Sequence, residues 1–453
     1  MALAGYLIMI ALLCGAVVWK WGYGAVYPLI LVSFTQNFCV PLLYTTGWTG
    51  PEASKALIFL KEILLLALFI YSAWRLLGRG IRIPVTLATL IFFTLWCCVR
   101  GLFGMVQGDD IANAGRVIRS VGMPLQLFIV GLAAAWEQGV AEKFLRRIVP
   151  ILSVLAVAAV VLFFSLGTEF WVKYVNIAAY NIELKGEDPS EQVEDFGVSG
   201  SGGGRPQFSF LSDFRAVGTF GDPISMAFAM AFAVLLASFY GQHNRKKYLL
   251  LLPIGAALFL SFTRSSWIFL IVAGGVVMIR KRNYLLLALT IACVALSFMV
   301  PQLSDFTLSS VDKLATGDPN DLHAAGLRGF YTMAWRDPGN ILGKGTAASV
   351  QEIPESGYAF LLEHFGLPAY ASFLFLNILM FAQFSGAKVR HHNLACIGQG
   401  IVAGTLVTMH TSHYAFSFIG YLGIWLTLGA LTSFLAADGR ITEARFRSSA
   451  RPI

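Results

Sequence analysis

The chain has 453 residues, 57% of them hydrophobic and only 13% charged, against roughly 25% charged in soluble domains. That composition excludes an ordinary soluble enzyme and predicts an integral membrane protein. Lysine and arginine outnumber the acids by 33 to 25, for a formal charge of +8, but the cations sit in small clusters between apolar runs. This is a pattern of membrane orientation rather than of nucleic-acid binding.

Apolar runs near the ~20 residues a spanning helix needs fall at 3–19, 24–45, 56–77, 83–104, 120–136, 148–167, 223–241, 248–262, 266–279, 284–300, 367–385, 394–411 and 416–436. The expected fold is an all-α polytopic membrane protein of about 12–14 transmembrane helices. The first run lacks a basic leader and reads as a retained helix rather than a cleaved signal. Six cysteines (Cys14, Cys39, Cys97, Cys98, Cys293, Cys396) all lie in apolar runs without CxxC or Cys/His spacing, so they read as small buried hydrophobes.

More than half of the basic residues gather in short linkers: Lys20; Arg75, Arg79 and Arg82; Lys143, Arg146 and Arg147; Arg245 to Lys247; Arg280 to Arg282; Lys388 and Arg390; and the tail from Arg440 to Arg451. Placing these inside makes the C-terminus cytoplasmic. Basic residues flank both ends of 248–279. One crossing cannot put both ends inside, so that stretch is expected to go out and return as two short helices. Their turn would fall at Phe262-Thr-Arg-Ser-Ser266, with Arg264 on the outer side.

The organisation expected is therefore N-terminal helices over 1–167, an acidic and glycine-rich outer loop over 168–222, and helices over 223–300. A large outer loop over 301–357, helices over 358–436 and a basic cytoplasmic tail over 437–453 complete it. Loops this long in a compact protein are either functional or disordered.

Several groups in these loops suit chemistry. Asp222-Pro223 has the form of a helix start, Asp as N-cap and Pro at the first helical position. With Gly218, Gly221 and Arg215 beside it, it forms a favourable anion site. Arg264 near membrane depth is costly unless it pairs or faces a wet cavity. Arg328 and Arg336 lie in the second loop, and Glu355 stands where the chain re-enters the membrane. A carboxylate in a partly dry mouth suits a general base. His364 is the alternative to it, although a lone histidine is more often simply packed. His410 and His413, Asp109-Asp110 and Lys61-Glu62 read as packed, hydrated or locally paired groups. No nucleotide-binding, zinc-protease or nucleophile-elbow motif is present.

Four motifs occur in a telling order: Arg215-x-x-Gly-Thr-Phe-x-Asp-Pro223; the Phe262-Thr-Arg-Ser-Ser turn; Arg328 with Pro338…Gly343-Lys-Gly345; and Glu355-Ser-Gly-Tyr358…Glu363-His-Phe-Gly-Leu-Pro368. Over about 210–435 the chain thereby resembles the O-antigen polymerase/ligase superfamily, which includes Wzy-type polymerases, WaaL-type ligases and exopolysaccharide polymerases. The resemblance implies a GT-C-like, inverting glycosyltransferase in a bacterial inner membrane. It would act at the periplasmic face on undecaprenyl-diphosphate-linked glycan as donor and acceptor, without metal or other cofactor.

Carried to matching positions, the resemblance has Arg215 and Arg264 holding the donor's diphosphate. By residue chemistry, Glu355 is expected to orient or deprotonate the acceptor hydroxyl, and Arg328, Arg336, Tyr358 and His364 are expected to contact substrate. Ligases of the superfamily carry a histidine where this chain has Glu355, so a polymerase is expected, with a chain-length regulator as a possible partner. The alternatives are the ligase that transfers finished glycan to lipid A–core and a transporter or flippase for an anionic lipid-linked glycan.

Overall fold

The computed structural model describes residues 2–78, 84–106, 111–138, 141–166, 170–176, 180, 182–183, 216, 218–220, 223–237, 246–261, 263–281, 338–345, 356–386, 392–410 and 422–433. Every regular element among them is helical. Six stretches are long and apolar enough to cross a membrane: Ala2–Thr45, Pro51–Leu77, Val85–Gly104, Ile118–Trp136, Phe144–Ser165 and Gly357–Ser385. Shorter apolar helices cover Ile224–Ala237, Tyr248–Leu260, Ser265–Arg280 and Leu422–Ser433. The chain is a multi-pass α-helical membrane protein. The expected span at 284–300 and most of both long loops lie outside the described residues.

The helices gather into two compact units, each assembled from two separate parts of the chain. The first takes Met1–Tyr71 and Arg146–Ser266, the second Ser72–Leu145 and Trp267–Ile453.

In the first unit, α1 (Ala2–Trp21) and α2 (Val26–Thr45) are separated by the tight turn Gly22–Ala25. Gly22 there has φ +53°, which interrupts the right-handed helix. Each helix holds 20 residues, about 30 Å at 1.5 Å per residue, which matches the hydrocarbon thickness. Polarity is inverted relative to a soluble domain. Leu12 and Trp19 are 70% and 79% exposed, while Ser33 and Gln36 are buried. An apolar exterior with polar groups inside suits a lipid surround.

Gln36 shows why polar groups are kept. A helix break at Phe59 separates α3 (Pro51–Ile58) from α4 (Leu60–Leu77). The Gln36 amide donates to the carbonyls of Leu57 and Ile58 at 2.8 and 2.6 Å, just before the break. Further along, α8 (Ile148–Ser165), α9 (Pro223–Ala237) and α10 (Lys246–Leu260) pack mutually, and Ser153 of α8 donates to Leu250 O of α10 at 3.1 Å.

The second unit contains α5 (Val85–Val106), α6 (Ile111–Gln138) and most of α11 (Arg264–Arg280). It also contains α12 (Gly357–Ser385), α13 (His392–Thr408) and α14 (Leu422–Ser433); the short α7 (Ala141–Arg146) belongs to it up to Leu145. Small residues let helices touch backbone to backbone, as membrane packing favours. A Cβ on Gly131 of α6 would lie 2.0 Å from Leu426 O of α14, and one on Gly400 of α13 would lie 2.6 Å from Ala273 O of α11. The most extensive packing is of α12 on α5, and it frames the site below.

Candidate functional site

Two of the four motifs meet in the first unit. The N–H of Ala216, the residue after Arg215, donates to Leu260 O at 3.0 Å. Leu260 closes α10, and Arg264 opens α11 four residues later. The intervening turn is held by its own hydroxyls: Ser261 Oγ donates to Leu258 O at 2.6 Å and Ser266 Oγ to Thr263 O at 2.8 Å. The expected turn covers Phe262 to Ser266; in the structure Arg264 is already helical, and Ser261 and Thr263 precede the helix.

The segment beyond Ala216 is fixed as well. Gly218 has φ +52° and lies so close to α8 that a Cβ would sit 2.5 Å from Ala159 Cβ. Phe220 is fully buried and packs on Phe34 of α2 at 4.8 Å between ring centroids. Pro223 then starts α9, as the Asp-Pro pattern predicts. Arg215, Asp222 and the Arg264 side chain lie outside the described residues; the one bond found here joins Ala216, next to Arg215, to Leu260, four residues before Arg264.

The other two motifs meet in the second unit, at a break in α12. Gly366 has φ +80° and ψ −177°, a conformation essentially confined to glycine. Pro368 follows, and having no N–H it cannot serve the carbonyl four residues back, that of His364. A break of this kind leaves carbonyls without helical donors, which is expensive in a membrane protein.

Three outside donors fill the gap. Lys344 N–H reaches Glu363 O at 2.6 Å, Gly345 N–H reaches His364 O at 3.0 Å, and the indole Nε1–H of Trp96 on α5 reaches Phe365 O at 2.7 Å. The Gly343-Lys-Gly345 segment thus lies along the unwound part of α12 and bonds to it through its backbone. There is no room for side chains at its glycines. A Cβ on Gly343 would lie 2.5 Å from Gly366 N, and one on Gly345 would lie 3.2 Å from Gly104 Cα of α5.

Arg100 of α5 clamps this crossing by donating from Nη2 to Gly343 O. Its guanidinium also lies 6.0 Å from the Phe103 ring. Its Nε–H is buried and has no hydrogen-bond acceptor among the described residues. Gly343 and Gly345 are buried, whereas Lys344 between them is exposed.

Two expected substrate contacts are placed here. His364 is 3% exposed, donates from Nδ1 to Gly345 O at 2.8 Å, and lies tilted against Phe360 with ring centroids 4.8 Å apart. A carbonyl only accepts, so Nδ1 carries the proton in this bond. Tyr358, also 3% exposed, gives its hydroxyl to Leu406 O at 2.8 Å and rests edge-on against His410 at 4.7 Å.

Glu355, Arg328 and Arg336 lie outside the described residues, as do His413 and Asp109-Asp110. Glu355 immediately precedes Ser356, the buried N-cap of α12, whose Oγ accepts from Ala359 N–H at 3.4 Å. Sequence reasoning passed over Arg100, Trp96 and Lys344 as individual residues. The signal for Arg100 was a cation inside an otherwise apolar run; Trp96 offered none.

A comparison with protein-family models finds no match, and a comparison with curated proteins finds none either.

Proposed function

We propose that this protein is a polysaccharide polymerase. On this reading it transfers a glycan from undecaprenyl diphosphate to a sugar hydroxyl of a second lipid-linked repeat unit, at the periplasmic face of a bacterial inner membrane. The observation that carries the reading is the pairing of the motifs. Those that suggested it by their order are far apart in sequence yet engage one another directly. Ala216 beside Arg215 bonds Leu260 ahead of Arg264, and Lys344 and Gly345 bond Glu363 and His364. Neighbouring motifs that fix one another's backbone behave as parts of a site rather than as separate coincidences of sequence.

The chemistry follows from the residue types. The acceptor hydroxyl oxygen attacks the anomeric carbon, the bond from that carbon to the diphosphate breaks with inversion, and the hydroxyl proton passes to Glu355. Charge builds on the departing diphosphate, where Arg215 and Arg264 stabilise it more in the transition state than in the ground state. Glu355 in place of a histidine favours the polymerase over the lipid A–core ligase.

The break in α12 also bears on the transporter reading. Transporters use unwound carbonyls to coordinate their ions. Here the carbonyls of Glu363, His364 and Phe365 are taken by Lys344, Gly345 and Trp96, which supports an architectural role for the break.

The test is reconstitution. Purified protein given a lipid-diphosphate repeat unit is expected to build a ladder of glycans that persists in EDTA. Movement of labelled lipid-linked glycan across proteoliposomes without chain growth would overturn the reading.

A further inference from the structure

At one end of the second unit a fixed cation stands at the edge of an exposed apolar row. Ser356 Oγ and Tyr358 N–H both bond Met409 O, which joins the start of α12 to the end of α13. Ser385 and His392, at the other ends of those helices, therefore share the opposite face, about 40 Å away along α12. The end of α11 meets them there, because the His392 ring donates from Nε2 to Arg280 O at 3.1 Å.

The Arg280 side chain is held as well as its backbone. Its Nε–H donates to Gln399 Oε1 at 2.9 Å, the Gln399 amide donates to Ser385 Oγ at 2.6 Å, and Ser385 Oγ donates to Phe381 O at 2.9 Å. Gln399 is 1% exposed, so a relay through three helices fixes the guanidinium. An arginine that merely snorkels needs no such partner. Arg280 itself is exposed, and its Nη groups meet no acceptor among the described residues. Nor does the local sequence supply a counter-charge. Neither 223–304, which contains α11, nor 364–437, which contains α13 and most of α12, holds an aspartate or glutamate.

The apolar row runs along α11 towards this cation. Trp267, Ile271 and Ile279 are exposed, and with Gly275 they form one i, i+4 ridge. A Cβ on Gly275 would meet nothing within 4 Å, so the ridge carries an open notch one turn before Ile279. A fixed cation at the end of an exposed apolar row matches an amphiphile with an anionic head.

We infer that Arg280 is the headgroup contact of a site for one anionic phospholipid of the bilayer. The Nη groups pair with phosphate oxygens, a geometry that suits a guanidinium, and an acyl chain lies along Ile279, Gly275 and Ile271. The end concerned is that of the basic linkers, the one expected to face the cytoplasm, where basic groups between helices take anionic headgroups. The site lies at the far end of α12 from the motif crossing and is independent of the glycan chemistry.

Native mass spectrometry of the full-length protein in detergent tests it, with dioleoyl phosphatidylglycerol as probe and dioleoyl phosphatidylcholine as the zwitterionic comparison. The wild type is expected to bind phosphatidylglycerol the more tightly. Arg280→Gln should weaken that binding about tenfold, as loss of a charge-assisted contact implies, and leave phosphatidylcholine unchanged. Arg280→Lys should recover only part of it, because an ammonium lacks the guanidinium's fork of donors. Gly275→Leu places its side chain in open space, which spares the fold, and should weaken phosphatidylglycerol several-fold by filling the notch.

Arg282→Gln removes the same charge two residues on and separates a built site from diffuse attraction. Equal losses in Arg282→Gln and Arg280→Gln, undiminished binding in Arg280→Gln, or equal affinity of the wild type for both lipids overturns the site. Glycerol phosphate carries the head without the chains and should not displace the lipid at equal concentration. Displacement would show a free-anion site and overturn the lipid assignment. These readouts need no glycan synthesis, so they stand or fall apart from the polymerase reading.

Discussion

His364 and Gly345 bind each other twice. The imidazole Nδ1–H donates to Gly345 O at 2.8 Å, and Gly345 N–H donates to His364 O at 3.0 Å. A side chain and its own carbonyl thus grip one glycine, within a helix that Pro368 prevents from closing on itself. Replacing His364 with phenylalanine keeps the ring volume and leaves Gly345 O buried without its donor. An unsatisfied buried acceptor costs about 1–3 kcal/mol, so a lower melting temperature of the detergent-solubilised protein is expected. Unchanged melting would show that the ring bond contributes nothing.

Pro368→Ala restores an N–H four residues after His364. That donor competes with Gly345 for the His364 carbonyl, so the loop should loosen even though the substitution raises helix propensity. Hydrogen exchange at Lys344 and Gly345 is the readout. Faster exchange is expected, and exchange slower than in the wild type would contradict the account of the break.

Gln36→Leu removes both donors from the carbonyls of Leu57 and Ile58 beside the Phe59 break. Leucine fills a similar volume, so little of the effect comes from packing. With two part-buried acceptors losing their donor, and the unpartnered Gln36 Oε1 removed with it, a net loss of about 1 kcal/mol or more is expected, visible as reduced thermal stability or yield. A neutral outcome would mean that water or another donor serves these carbonyls equally well.

Arg215→Ala and Arg264→Ala should each abolish long-chain glycan while the protein remains in the membrane at normal abundance. Arg→Lys at either position should restore only part of the product, because an ammonium cannot reproduce the guanidinium's paired donors to a diphosphate. Glycan ladders from cells carrying each variant give the answer; normal chain length in both alanine variants would remove the arginines from the site.

The helices could be read from the sequence because a run of ~20 apolar residues has few alternatives to spanning a bilayer. Each expected span other than 284–300 coincides at least in part with a described helix. The expected start at 367 is where α12 resumes after Gly366, since glycine followed by Pro368 announces an interruption. The donors that repair the interruption left no such trace. Trp96 reaches Phe365 across 269 positions, and nothing in an apolar run says which tryptophan will meet which carbonyl. Arg100 was detectable in principle as a charge inside a span, but its partner is a backbone carbonyl, which any sequence supplies everywhere. The polar atoms of Tyr358 and His364 that the structure describes as bonded are engaged with backbone, a use that residue type alone does not distinguish from contact with substrate.

The anchoring of Gly345 has a mechanical corollary. It divides the long segment before α12 and leaves ten residues, 346–355, to bridge from the crossing to Ser356 at the head of the same helix. Each end of that bridge is attached to α12 by its own bonds, one through Glu363 and His364 and the other through the Ser356 cap. A protease that severs 346–355 would therefore nick the chain without releasing either side, and the two fragments should travel together until denaturant parts them.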